Sequence, residues 1–107
     1  MEPDSLLELA NDAAAEAEYE TAYHLLMAAL HLAEHRGNHD AVMRIGAAGR
    51  RIGAAVEAVV PPHRLSRGEA KKRGHGAIFD QFDVHAEAVR LRLESAEELG
   101  RVGRTRV

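Results

Sequence analysis

Apolar residues along this chain recur three and four positions apart, a spacing that at about 100° per residue gathers them on one side of a helix. The stretch Tyr19 to Ala33 shows it best. Tyr19, Ala22, Leu26, Ala29, Leu30 and Ala33 share one side, while Glu20, His24, His31 and His35 lie opposite. Upstream, Leu6, Leu9, Ala10, Ala13 and Ala17 form a thinner stripe, opened by Ser5 and Glu8 in the spacing of a capping box. Downstream, Val42, Ile45, Gly49, Ile52, Val56 and Val59 follow a strict 3-4-3-4-3 spacing, between cap candidates at Asn38 to Asp40 and a stop at Pro61-Pro62. Near the C-terminus Phe82, Ala86, Val89, Leu93, Ala96 and Leu99 give a fourth stripe. Asp80 is its expected cap, Phe79 and Val84 are spaced as a hydrophobic staple, and Gly100 supplies a stop. The pattern predicts one all-α domain with helices over about 5–17, 19–36, 39–60 and 80–99. Between the last two lies a connector, 61–76, and beyond them a flexible tail, 101–107.

The second helix has a clear end at Gly37-Asn38, with His35 and Arg36 in the last turn where positive charge meets the negative end of the helix dipole. Gly46, Gly49 and Gly53 fall inside the third helix, each costing about 1 kcal/mol relative to alanine. Close backbone approach by a neighbouring helix would offset that cost; bending or fraying of the helix is the other explanation.

Composition narrows the function classes. With no cysteine, disulfides and thiolate metal sites are excluded, which fits a cytoplasmic location. MEPDSLLELA lacks the basic-then-apolar order of a secretory signal, and no apolar run approaches the ~18 residues of a membrane span. The net charge of −3 is segregated. Residues 1–40 hold nine acids and one arginine, whereas 61–76 hold five basic residues and one acid. Acidic helices thus alternate with basic connectors. Such charges either solvate helix faces and pair within the fold, or offer a docking surface to a charged partner.

From Leu6 to Ala33 the sequence resembles one tetratricopeptide repeat, a helix-turn-helix unit of about 34 residues. Leu6, Leu9, Ala10 and Ala13 occupy the W-x2-L-G-x2-Y positions, and Ala22 with Leu26 fits A-x3-F. Val42, Ile45, Gly46 and Gly49 echo the first set 36 residues later, with Ala58 echoing Ala22, before Pro61 truncates the copy. The resemblance implies a turn at Ala17-Glu18, where no Gly, Pro or Asn breaks the helical pattern. It also implies an open apolar face, since about three stacked repeats are usually needed to bury a continuous core. Either the C-terminal helix or a second copy of the chain would have to cover it.

Candidate chemistry is sparse. His24, His31 and His35 lie within about 40° around the helix axis, and the i, i+4 pair His31/His35 is a minimal geometry for a divalent transition metal, with Glu20 and Glu34 as oxygen ligands. Arg64, Arg67, Lys71, Lys72 and Arg73 in the connector, with Arg101, Arg104 and Arg106 in the tail, could neutralise phosphates, though no aromatic residue stands among them to stack on bases. Ser5, Ser66 and Ser95 have no nucleophile motif around them, and the glycines of RIGAAGRRIG follow no strand, so they are no dinucleotide fingerprint. His75, His85, Arg90 and Arg92 are of the types a small helical ribonuclease scatters over its surface, without a pattern that assembles them. The expectation is a non-catalytic protein–protein interaction module without a cofactor, self-associating as a homodimer and acting through a helical apolar groove. Nucleic-acid association and histidine metal binding are the alternatives.

Overall fold

A computed structural model describes residues 1–105, with side chains described through Arg101. The chain is all-α: α1 (Pro3–Ala15), α2 (Tyr19–His35), α3 (His39–Ala58), α4 (Arg67–Lys72) and α5 (Ile78–Thr105). α1 and α2 form an antiparallel hairpin. α3 packs on both, running parallel to α1, with Arg44 on Asp4 and Arg51 on Asn11 along their seam. α5 runs antiparallel to α3, pairing Gly53 with Phe79, Gly49 with Phe82 and Gly46 with Ala86. One core joins the four long helices, with Leu26, Leu30, Val42, Ile45, Phe82 and Val89 at its centre.

Three helix ends are closed by the same device. After α1, Glu18 N–H donates to the Ala13 carbonyl (2.9 Å) and Ala17 N–H to that of Ala14 (3.0 Å). After α2, Asn38 N–H donates to Ala33 and Gly37 N–H to Glu34. After α4, His75 N–H donates to Ala70 and Gly74 N–H to Lys71. This is the Schellman arrangement, which needs a left-handed residue at its pivot. Gly37 and Gly74 supply it at φ 63° and 77°, but the first pivot is Ala17 at φ 58°, where a Cβ is strained. The turn thus falls at Ala17-Glu18 although its sequence carries no breaker.

The helix starts and faces differ in places from the sequence expectation. α1 begins at Pro3, with Glu2 in the cap position and no side-chain cap, so the Ser5–Glu8 capping box does not form. Proline serves there because its fixed φ and missing N–H suit the first helical position. α1 buries Pro3, Ala10 and Ala13 and half-buries Leu6 and Leu7, while Leu9 and Ala17 are exposed. Asn38 does cap α3, accepting from Ala41 N–H at 3.1 Å. The connector is not wholly irregular: Ser66 accepts from Glu69 N–H and starts α4, a turn too short to show as a period in sequence.

α5 departs most. It starts at Ile78, so Asp80 lies in its first turn instead of capping it, and Val84 points to solvent while Phe79 is buried, so no staple forms. Nor does Gly100 stop it, because the chain has no need to reverse there, and Glu98 and Arg101 pair across one turn. The helix continues to Thr105, which makes 101–105 helical where a flexible tail was expected; 106–107 lie outside the described residues. Phe82, Ala86 and Val89 are buried and Leu93 half-buried as expected, but Ala96 and Leu99 are exposed. The cause is register. His39, the first residue of α3, faces Glu94 (3.4 Å), and Glu34 near the end of α2 holds Arg92 at 2.7 Å, so beyond Glu94 neither helix remains to cover α5. The molecule is elongated, with principal extents of 61, 29 and 16 Å.

The α3 glycines make room for side chains, not for a backbone. A Cβ on Gly49 would stand 2.5 Å from Cδ1 of Phe82, a ring that is 1% exposed and cannot retreat. At Gly46 the nearest atoms would be 3.7 and 3.8 Å away, ordinary contact. Gly49→Ala is therefore expected to destabilise by about 1–3 kcal/mol through overpacking, and Gly46→Ala to stabilise by up to about 1 kcal/mol through helix propensity. Urea unfolding of the two variants checks the contrast; a stabilised Gly49→Ala would contradict the notch. Ala17→Gly should raise stability by about 1 kcal/mol by relieving the left-handed pivot, read as a higher urea midpoint.

Candidate interaction surface

The connector cations are drawn into the fold. The Arg67 guanidinium donates two 2.8 Å hydrogen bonds to the Asp80 carboxylate, and its backbone N–H donates to Glu57 at 2.9 Å, joining α3, α4 and α5. Arg64 pairs with Glu20 of α2, Arg73 donates to the Arg64 carbonyl, and Lys72 reaches Glu69 at 3.0 Å. Lys71 is exposed in the last turn of α4. Hydrogen bonding to Arg67 holds the Asp80 carboxyl below its ordinary range, and Asp80 in turn raises the guanidinium. Arg64 does the same for Glu20. Other seams repeat the pattern with Arg36 on Glu2 (2.9 Å), Arg50 on Asp83 (3.2 Å) and Arg92 on Glu34 (2.7 and 3.1 Å).

The histidine trio does not converge. His24 stands edge-on to Tyr23 at 5.3 Å, His31 edge-on to His85 of α5 at 5.6 Å, and His35 is exposed in the last turn of α2. Glu34, offered by sequence as a ligand, is held by Arg92, whose hydrogen bond lowers its pKa. Among the described residues no three His, Asp or Glu side chains are placed to hold a metal ion. His85 has a buried Nε2 without a hydrogen-bond partner, facing His31 instead of Arg90 or Arg92. Arg90 is engaged by Glu87 (3.0 Å) and Glu94 (2.5 Å), and Arg92 by Glu34, so these residues form no common site with His75.

Two apolar features stand out among the described residues. A cleft of about 440 Å³ lies between α3, α4 and the start of α5, floored by Gly53, Val56, Leu65 and Phe79 and rimmed by the Arg50–Asp83 and Arg67–Asp80 pairs. The other is the outward side of α5. Val84, Leu91 and Leu99 are 72, 52 and 73% exposed. With Ala88 and Ser95 between them, their 4-3-4-4 spacing keeps all five within about 80° around the axis and along about 22 Å. This line lies roughly opposite Phe82, Ala86 and Val89, which face the core. Sequence reading placed Leu99 in the buried stripe and Val84 in a staple. The signal that could have found the line was a second helical period in the same segment, hidden because α5 is apolar on two sides.

No family model, characterised protein or solved structure matches this chain. Among the described residues no helix is long and apolar enough to cross a membrane.

The Asp80 pair sets a pH dependence. A carboxyl held below its ordinary value of about 3.8 contributes stability above that value and loses it as pH falls through the lowered one. Asp80→Asn should therefore be less stable than the parent at neutral pH, with the difference shrinking below about pH 4. Urea midpoints measured across pH 2–7 check it; a difference independent of pH would contradict the pairing.

Proposed function

We propose that this protein is a non-catalytic protein–protein interaction module whose docking surface is the outward side of α5. The observation that carries this reading is the contrast between two kinds of side chain. Among the described residues the arginines that could hold an anionic ligand are already engaged, most of them across helix seams. Val84, Leu91 and Leu99 stand aligned in water. Exposed apolar side chains aligned on one helix face and flanked by charge are a feature of interaction sites.

The course of the helices supports a tetratricopeptide-like reading of the scaffold. α1 and α3 run parallel and begin 36 residues apart, so α1–α2 and α3–α5 stack as two hairpins, the second interrupted by the connector and α4. α5 covers α3 and α2 within one chain, so the core itself does not require a partner. The case for association rests on the outer face of α5. Phosphate binding through the connector has less support, because four of its five cations already have acceptors.

A photo-reactive benzoylphenylalanine at position 91, irradiated in cells that express the protein, is expected to give a covalent adduct with a polypeptide. The same residue at Ala47, exposed on α3, should give none. No adduct from position 91, or equal adducts from both, would contradict the reading.

A further inference from the structure

We draw no further inference here: the strongest candidate, the His31–His85 pair on the α2–α5 seam with the unpartnered buried Nε2 of His85, brings only two side chains together edge-on, and among the described residues no third His, Asp or Glu joins them to hold a metal ion.

Discussion

The structure depends on a missing methyl group. At Gly49 the surface of α3 opens a notch that the ring of Phe82 fills, and that contact fixes both the distance and the register of α5. From it follow Phe79 beside Gly53 and Ala86 beside Gly46, and further along His39 beside Glu94. With only four aromatic residues in the chain and two of them, Phe79 and Phe82, buried, the core gains much of its apolar burial from this arrangement, because an aromatic ring buries far more area than the alanines that dominate elsewhere. The helix-propensity cost of a glycine in α3 is offset by seating a ring that no other residue at that position would admit.

The register then decides the surface. With Phe82 in its notch, α5 turns one apolar stripe inward and leaves another outward, and it outruns α2 and α3 by about 16 Å. The charged residues follow the same geometry. Acids of α1, α2 and α5 meet arginines of α3 and of the connector, and Arg36 and Arg92 pair with Glu2 and Glu34, so part of the charge segregation seen in sequence is resolved within the fold. Such exposed pairs add little stability individually. Their effect here is to orient α4 and the connector, since Arg67 alone ties three helices together.

How much of this was legible in sequence varies with the physical cause. The four long helices and most of the core came through, because a helical period over fifteen residues is a strong signal: Leu26, Leu30, Val42, Ile45 and Val89 were all placed correctly. Asn38 as a cap and Gly37 as a left-handed pivot were legible because those residue types have few other uses. The Ala17 turn was reached only through the repeat alignment, since alanine gives no local sign that it will adopt φ 58°. α4 was missed because one turn has no period. The length of α5 was misjudged because Gly100 was read as a stop, whereas a glycine ends a helix only where the chain turns back. The surface was the least legible. Sequence showed which residues are charged but not that Arg67 would find Asp80, or that Glu34 would be taken by Arg92 and so withdrawn from the histidine cluster.

α5 closes the core by seating the Phe82 ring against Gly49 of α3. Native-state amide hydrogen exchange of the parent protein and of Gly49→Ala probes that contact. Exchange over the core-facing turns 82–93 of α5 should be faster in Gly49→Ala, while exchange over the overhang 95–101, which α2 and α3 do not cover, should be nearly the same in both. Exchange over 82–93 that is unchanged in Gly49→Ala, or a change confined to α4, would contradict the notch.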